Sequence, residues 1–453
     1  MKNPRIAFYG DDFTGSTDVM EVLQWAGIPT ILFLASPDRE QLDKFTEFQA
    51  FGVAGWSRSM SPDEMESDLR PILRQLRDSG AEIVHYKTCS TFDSSPEIGS
   101  IGKTMEIGRE LYGSEFIPLV VGAPNLGRYQ VFGNLFARSG LDSEPFRLDR
   151  HPTMMHHPIT PMNESDIRRH LARQTQLRIG LYDVLQLQGP IDHGIGKVPL
   201  GHGCDGLLFD LLLPEHLPKI GHLLDRIAKD KSPRFMVGSS GIEYALTQYW
   251  DLPKPALPSF DRVEQLVVIT GSCSPVNERQ IEWAEQHGFE TLALNPSRLI
   301  DNGTSRSEIE LVIESAVHCL KQGRNLIMHT SRGPNDARIA SAVECMRGMG
   351  LSELEIRLQS GRLLGPKLGK LLNEILKVCR LPRVGIAGGD SSGFIARELN
   401  LIALQAIAPV APGSPLCRAH AENEFHGVEF LFKGGQVGKD DVWGTMLHGT
   451  NNG

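Results

Sequence analysis

An alternation of short apolar runs with helical stretches continues through nearly the whole chain, and it restricts the fold more than any other feature. In the first half we expect strands at 6–9, 30–34, 83–86, 118–122, 178–184, 206–210 and 235–238. The second half repeats the rhythm at 266–270, 291–294, 325–329, 384–387, 403–408 and 428–432. Such alternation predicts an α/β fold in which each domain is a mostly parallel β-sheet flanked by helices.

A proline-rich segment interrupts this alternation near the middle of the chain. Residues 251–261 contain three prolines within six residues, which excludes both a helix and a central strand. We therefore predict an N-terminal domain at 1–250, a linker at 251–261 and a C-terminal domain at 262–453. A one-sided apolar stripe at 364–380 predicts a helix that packs against a core.

Charge and cysteine content narrow the class of partner. A net charge of −9 disfavours nucleic acid and anionic membranes, which require clustered lysine and arginine. The seven cysteines form no Cys-x-x-Cys pair, as expected of reduced thiols in the cytoplasm. No apolar run is long enough to span a membrane, and the N-terminus does not resemble a signal peptide. We expect a cytoplasmic protein with a small-molecule ligand.

Three glycine-rich turns follow strands of the second half. They read Gly-Ser-Cys-Ser at 271–274, Gly-Gly-Asp-Ser-Ser-Gly at 388–393 and Lys-Gly-Gly-Gln-Val-Gly at 433–438. In a parallel sheet all three would lie at the carboxyl edge, where open α/β folds bind ligands. Glycines expose backbone N–H groups, serine hydroxyls add donors, and Lys433 adds a point charge, so the turns suit phosphate. Any single turn could instead merely cap a helix.

One of these turns also fits a different chemistry. Residues 389–393 match the Gly-x-Ser-x-Gly nucleophile elbow of serine hydrolases, with Asp440 or Asp441 and His448 following in the order of a catalytic triad. Only about 60 residues follow Ser391, which leaves little room for the rest of a hydrolase sheet. The doubled glycine and doubled serine favour a phosphate site.

Loops of the first half carry acids and hydroxyls. Asp11, Asp12 and Asp18 follow the first strand, and Lys87, Asp93 and several hydroxyls lie within 85–95. This mixture suits a polyhydroxylated acid, with Lys87 for its carboxylate and Asp93 for sugar hydroxyls.

The adjacent acids have three possible roles, as general base, Mg²⁺ ligands or helix caps. Thr14 or Ser16 is expected to cap the first helix, so we favour a functional role for Asp11 and Asp12. Asp18 is expected in the first helical turn, where an acid complements the helix dipole.

Taken together, these motifs resemble the four-carbon acid sugar kinase family. The resemblance spans nearly the whole chain and rests on Lys87 and on residues 11–15, 89–95, 157–162, 271–274, 388–393, 412–413 and 433–438. It implies an N-terminal domain that binds a sugar acid and a C-terminal domain that binds ATP. Phosphoryl transfer would take place in the interdomain cleft, to the terminal hydroxyl of a tetronate, a 3-oxo-tetronate or the branched 3-oxo-isoapionate.

The chemistry of the motifs, together with this resemblance, gives each residue an expected role. Asp12 or Asp11 would accept the hydroxyl proton, and Lys87, Ser90, Thr91 and Asp93 would hold the sugar acid. ATP, with Mg²⁺ on ligands that the sequence does not identify, would contact Ser272, Ser274, Gly388, Gly389, Asp390, Ser391, Ser392, Gly393, Gly413, Lys433, Gly434 and Gly435. The alternatives are a serine hydrolase acting through Ser391 and a non-catalytic protein that binds a nucleotide or a sugar acid. A homo-oligomer is one option for the assembled state.

Overall fold

The computed structural model describes residues 1, 4–139, 143–157, 159–189, 202–230 and 234–451. Two compact units divide the chain. The first comprises Met1–Ile31 and Ser36–Pro255, and the second comprises Leu32–Ala35 and Ala256–Gly453. Among the described residues, no helix combines the length and the apolar character needed to cross a membrane.

Up to residue 255 the chain alternates strands and helices. The strands are β1 (Ile6–Gly10), β2 (Thr30–Phe33), β3 (Ala50–Ala54), β4 (Ile83–Lys87), β5 (Ile117–Val120), β6 (Arg128–Val131), β7 (Asn134–Arg138), β8 (Pro145–Arg147), β9 (Ile179–Tyr182), β10 (Gly206–Phe209) and β11 (Arg234–Gly238). The helices are α1 (Phe13–Trp25), α2 (Arg39–Asp43), α3 (Pro62–Glu64), α4 (Arg70–Asp78), α5 (Ile101–Tyr112), α6 (Ile167–Leu171), α7 (Val184–Gln188), α8 (Leu217–Asp230) and α9 (Gly241–Trp250).

The main sheet of the first unit has the strand order β3-β1-β4-β11-β5-β10-β9, with every neighbouring pair parallel. The register aligns Gly10 with Ala54 and with Lys87, and Lys87 with Gly238. Parallel strands end at one edge, so the loops that follow these residues lie side by side. Strands β6, β7 and β8 form a separate antiparallel sheet.

The centre of this sheet is apolar and closely packed. Every residue of β1, β3 and β4 is buried. The ring of Phe8 lies against Gly52 of the neighbouring strand, where a Cβ atom would clash with it. Burying one such aromatic side chain stabilises the fold by about 1.5–3 kcal/mol.

The rest of the chain belongs to the second unit. Its strands are β12 (Val267–Thr270), β13 (Glu290–Ala293), β14 (Leu326–His329), β15 (Arg383–Ala387), β16 (Leu401–Ala411), β17 (Ser414–Ala421) and β18 (Glu429–Lys433). Its helices are α10 (Pro275–Gln286), α11 (Pro296–Ile300), α12 (Ser305–Lys321), α13 (Ala337–Gly348), α14 (Glu353–Val378), α15 (Gly389–Glu398) and α16 (Val442–His448).

In the second unit, the strand order is β13-β14-β12-β15-β18-β17-β16. The strands from β13 to β18 in this order are parallel, and β17 and β16 continue the sheet antiparallel. The register aligns Thr270 with His329 and Ala387, and Ala387 with Lys433. Trp443, which is fully buried, packs over Gly385, where a Cβ atom would lie 2.6 Å from the indole ring.

The predicted α/β class, with mostly parallel sheets flanked by helices, is confirmed, and each predicted strand is present with bounds shifted by a residue or two at most places. Strands β3 and β17 and the sheet β6–β8 were not predicted. The helix expected at 364–380 is longer. It begins at Glu353, because Ser352 and Glu355 form a capping box there, and it contains Pro366.

Candidate functional site

Asp12 joins β1 to α1 and is itself the cap of that helix. Its Oδ1 accepts a hydrogen bond from the N–H of Gly15 (2.8 Å), and its Oδ2 accepts one from the hydroxyl of Thr14 (2.9 Å). The expectation that Thr14 or Ser16 caps the helix is therefore wrong. Asp12 is the last extended residue, with φ −142° and ψ 167°, whereas Ser16 lies inside the helix and donates to the carbonyl of Asp12.

Arg58, which was not predicted from the sequence, connects the acids of two loops, those after β1 and β4. Its Nη2 lies 3.0 Å from Asp11 Oδ1, its Nη1 lies 3.0 Å from Asp12 Oδ2, and its Nε lies 3.9 Å from Asp93 Oδ2. It follows β3, a short strand whose glycine and alanines weaken the strand signal. The sequence signal that could have identified Arg58 is the group of polar residues directly after the apolar run of β3, because the other functional loops also follow strands in this way.

Asp11 and Asp12 differ in their surroundings. The side chain of Asp11 is only 4% exposed, and its Oδ2 accepts a hydrogen bond from the N–H of Cys89 (3.3 Å). Burial raises the pKa of Asp11 to about 6, against the opposing charge of Arg58. The side chain of Asp12 is 16% exposed. Asp12 is therefore the more accessible carboxylate of the pair.

Lys87, at the end of β4, is buried directly beneath the turn formed by residues 11–15. Its Nζ donates to the carbonyl of Thr88 (2.9 Å) and lies 3.9 Å from Asp18 Oδ2. A Cβ atom on Gly15 would lie 3.0 Å from Nζ and would clash with Asp12, so glycine is required there.

Asp18 is not in the first turn of α1, because the helix begins at Phe13 and has no acid in that turn. The predicted role in complementing the helix dipole is wrong. Asp18 faces Lys87 instead. Burial raises its pKa, and the charge of Lys87 opposes that effect.

The loop after β4 brings most of the predicted sugar-acid residues to the same edge. The hydroxyl of Thr91 donates to Asp93 Oδ1 (2.7 Å), and the half-buried Ser90 lies beside it in the loop. Burial alone would raise the pKa of Asp93, but Arg58, then His157 and a hydrogen bond from Thr91, lower it to about 2. Asp93 is thus a firmly ionised acceptor for donors such as sugar hydroxyls.

The three glycine-rich turns of the second unit lie next to one another. Gly271 N–H donates to the carbonyl of Ala387 (2.9 Å), and Gly388 N–H donates to the carbonyl of Lys433 (2.9 Å). The hydroxyl of Ser274 donates to the carbonyl of Gly435. A side chain on Gly435 would clash with Ser272 Oγ, so the close approach of these two turns depends on glycine.

Ser391 lies in the first turn of α15 and points into this group of turns. Its Oγ is buried and has no hydrogen-bond partner in the described part of the chain. Asp440 pairs with Arg279 (3.0 Å), and His448 lies exposed in the last turn of α16. The described residues therefore do not assemble a triad around Ser391, whose free hydroxyl remains available as a donor.

Lys433 and Gly413 lie at the same sheet edge. Lys433 is fully buried, its Nζ donates to the carbonyl of Gly434 (3.2 Å), and no carboxylate of the described residues pairs with it. Burial lowers its pKa to about 7. Gly413, with φ +73°, forms the β16–β17 turn, and the antiparallel register of β17 with β18 brings that turn toward Lys433.

The remaining predicted nucleotide contacts fall at the start of α15. Gly389 and Gly393 lie in its first turns, and the hydroxyl of Ser392 donates to the carbonyl of Gly388 (2.6 Å). Asp390 belongs to the same helix, but its side chain lies outside the described part of the structure.

A fourth turn, which the sequence analysis missed, joins the other three. It follows β14 at residues 330–336, and Ser331 Oγ donates to the carbonyl of Ser272 (3.1 Å). The sequence Thr-Ser-Arg-Gly directly after the expected strand at 325–329 was the available signal.

Comparisons with known proteins agree with this division of chemistry. The model of a sugar-binding N-terminal domain matches residues 6–246, and the model of a nucleotide-binding C-terminal domain matches residues 267–443. The chain is 42% identical over 450 residues to a 3-oxo-isoapionate kinase of Paraburkholderia graminis, covering 98% of this chain and 94% of the relative. It is 30% identical over 457 residues to a 3-oxo-tetronate kinase of Pseudomonas fluorescens, covering 96% and 97% of the two chains.

Solved structures share the fold. A protein from Salmonella typhimurium described as a putative tRNA synthase superposes with a TM-score of 0.73 at 23% identity, covering 97% of both chains. The Haemophilus influenzae protein HI1011 superposes with a TM-score of 0.70 at 20% identity, covering 97% of this chain and 98% of that one. At these identities the likeness shows the fold alone.

Proposed function

The chain belongs to the four-carbon acid sugar kinase family, and from this premise we propose that it transfers the γ-phosphoryl group of ATP to the terminal hydroxyl of a small sugar acid. We favour 3-oxo-isoapionate as the substrate, because the relative of that name is 42% identical, whereas the 3-oxo-tetronate kinases are 30% identical or less. Tetronates and 3-oxo-tetronates are the next candidates.

The observation that carries the proposal is the group of glycine-rich turns with a buried, unpartnered hydroxyl. Among the described residues, Ser391 Oγ has no hydrogen-bond partner and no side chain caps the first N–H groups of α15, so phosphate oxygens could accept hydrogen bonds from both. Lys433, buried without a carboxylate partner among the described residues, would regain its charge beside a polyphosphate. Phosphoryl transfer depends mainly on such positioning and charge stabilisation.

For the acceptor hydroxyl we propose Asp12 as general base. It is the more exposed carboxylate of the pair, and it lies at the N-terminus of α1. In the reaction the hydroxyl oxygen would bond to the γ-phosphorus, ADP would leave, and Asp12 would accept the hydroxyl proton. Asp11 would instead hold Arg58 in place. Lys87, Ser90, Thr91 and Asp93 would line the sugar site.

Mg²⁺ would enter with ATP. Within the described residues, no group of three or more His, Cys, Asp or Glu side chains could hold a metal ion. This fits Mg²⁺ in kinases, which is bound largely by phosphates and water, with one or two carboxylates. The location of the active site in the interdomain cleft, the cytoplasmic location and a homo-oligomer stay predictions.

A substrate panel tests the proposal. The protein would be incubated with ATP, Mg²⁺ and, in turn, 3-oxo-isoapionate, 3-oxo-tetronate, threonate and erythronate, and ADP would be measured. We expect ADP above the ATPase background with at least one acid, and highest with 3-oxo-isoapionate. Release of no extra ADP with any acid would refute the kinase and favour a binding protein.

Ser391→Ala separates the kinase from the hydrolase. A kinase should keep a measurable kcat with a raised KM for ATP, because one hydroxyl donor to phosphate is lost. A hydrolase would lose its activity on ester substrates altogether. Ser315→Ala, on the exposed surface of α12, is the matched control and should change neither constant.

A further inference from the structure

We propose that Arg128, at the start of β6, binds the carboxylate of the sugar-acid substrate and sets the preference of the site for acids. This inference rests on the proposed kinase function, and it names the residue that recognises the feature common to all candidate substrates. It differs from the sequence-based expectation, which gave the carboxylate to Lys87.

Two other cations of this region, Arg58 and Lys87, already have anionic partners. Arg58 lies 3.0 Å from both Asp11 and Asp12. Lys87 faces Asp18, and its Nζ donates a hydrogen bond to the carbonyl of Thr88. A substrate carboxylate would have to displace these acids to use either cation fully.

The guanidinium group of Arg128 has one edge, formed by Nε and Nη2, for which no partner is found among the described residues. Its Nη1 donates to the carbonyls of Leu126 (2.9 Å) and Arg138 (3.2 Å), which fixes the guanidinium plane. Among the described residues, its buried Nε has no hydrogen-bond partner and no carboxylate pairs with the side chain. The Nε and Nη2 groups form the edge of a guanidinium that takes a carboxylate through two parallel hydrogen bonds. A buried donor without a partner destabilises the protein, and a substrate oxygen would relieve that cost.

The surrounding backbone holds Arg128 rigidly at the carboxyl edge of the first sheet. Arg128 and Ala123, which follows β5, exchange two hydrogen bonds of 2.9 and 3.1 Å. Gln130 and Leu211, which follows β10, exchange two more of 2.9 and 3.1 Å. A receptor group for a small ligand has to be positioned in this way.

Arg128 also lies near the acid-rich loops. Burial lowers the pKa of Arg128, and Cys89 of the loop after β4 is among the side chains near enough to affect it. The N–H of Cys89 binds Asp11, so the loop after β4 connects Arg128 to the acidic cluster.

Charge then orients the substrate. Asp11, Asp12 and Asp93 surround Arg58, and the nearby Lys87 is paired with Asp18, so this end of the site disfavours a carboxylate and favours hydroxyl donors. The acid end would lie on Arg128, and the hydroxyl end would lie toward Asp12. Lys87 would then stabilise the turn at residues 11–15 and not the substrate carboxylate.

The test compares an acid with its uncharged amide. Of 3-oxo-isoapionate, 3-oxo-tetronate, threonate and erythronate, the acid that the wild type phosphorylates best would be assayed beside its primary amide. In Arg128→Gln we expect the KM and the calorimetric Kd for the acid to rise by about 10- to 100-fold, the scale of a lost hydrogen bond to a charged group. The constants for the amide and the KM for ATP should stay within about twofold.

Controls keep the test decisive. Arg150→Gln removes an exposed arginine of the same unit and should preserve the preference for the acid. If Arg128→Gln does not fold, Arg128→Lys decides: it keeps the charge but loses the two-pronged geometry, so the KM for the acid should still rise several-fold. An unchanged acid-to-amide ratio in Arg128→Gln, or an unchanged KM in Arg128→Lys, would overturn the inference. A wild type inactive on every acid would instead refute the kinase itself.

Discussion

Replacing Asp12 by asparagine should separate its role as helix cap from its proposed role as general base. Asparagine keeps an Oδ1 acceptor for the N–H of Gly15 and caps helices about as well as aspartate. The substitution removes the negative charge that pairs with Arg58. Because the Asp12 carboxylate is partly exposed and Arg58 retains Asp11 and Asp93, we expect the unfolding free energy to fall by about 1 kcal/mol or less. The melting temperature should fall by no more than about 2–4 °C.

Catalysis should respond far more strongly than stability. Without a group that accepts the hydroxyl proton, kcat should fall about 100-fold or more, while the KM for ATP stays unchanged. The measurement is a steady-state ADP assay at saturating substrates, paired with thermal unfolding of the same preparation. Asp12→Ala removes the cap as well and should lower the unfolding free energy by about 1 kcal/mol more.

Asp11→Asn is the matched comparison. Asp11 is buried and tied to Arg58 and Cys89, so the substitution should act mainly on the sugar-acid KM through the position of Arg58. A normal kcat in Asp12→Asn would refute the assignment of the base. If Asp11→Asn alone lost turnover, the role would belong to Asp11.

Three further predictions concern other groups. Because burial lowers the pKa of Lys433 to about 7, ATP binding should take up protons at pH 8 and weaken as the pH rises from 7 to 9; calorimetry in buffers of different ionisation enthalpy would detect this uptake, and Lys433→Met should abolish it. Gly435→Ala should raise the KM for ATP about 10-fold or more by displacing Ser272, with the sugar-acid KM unchanged; Gly348→Ala, whose Cβ meets nothing within 4 Å, is its control. Burial lowers the pKa of His170 from 6.5 to about 4, so between these pH values its imidazole stays neutral in the folded protein but binds a proton in the unfolded chain. The unfolding free energy, measured by denaturant titration, should therefore fall by about 3 kcal/mol as the pH is lowered from 6.5 to 4. His170→Gln should lose this contribution to the pH dependence.

Much of the fold could be predicted because its main signals are local. Apolar runs bounded by turn residues identify most strands, and parallel pairing then determines which loops share an edge. Parallel pairing predicts that residues 271–274, 388–393 and 433–438 lie at one edge of the sheet, and backbone hydrogen bonds connect these turns. The fourth turn, at 330–336 after β14, obeys the same rule.

What escaped prediction depends on contacts between residues distant in sequence. Arg58 meets Asp11 and Asp93 only because β3, β1 and β4 are neighbours, and β3 itself is a weak strand by composition. The capping role of Asp12 depends on which residue is the last with extended backbone angles. Several nearby polar residues could equally have served as the cap, and the sequence does not distinguish them. The pairing state of Lys87 and Arg128 depends on tertiary structure, and no spacing in the sequence distinguishes a paired cation from an unpaired one.

The second unit includes Leu32–Ala35, a segment that is synthesised more than 200 residues before the rest of that unit, and this affects how the chain folds. The N–H of Leu34 donates to the carbonyl of Ile402 (3.1 Å), so these early residues leave the ribosome long before their partner exists. The contiguous stretch from residue 256 onward is therefore not a complete folding unit, because it needs this segment from the N-terminal part of the chain to complete its sheet. A fragment that began at residue 256 would expose the unpaired backbone of β16 and should aggregate more readily than the whole chain.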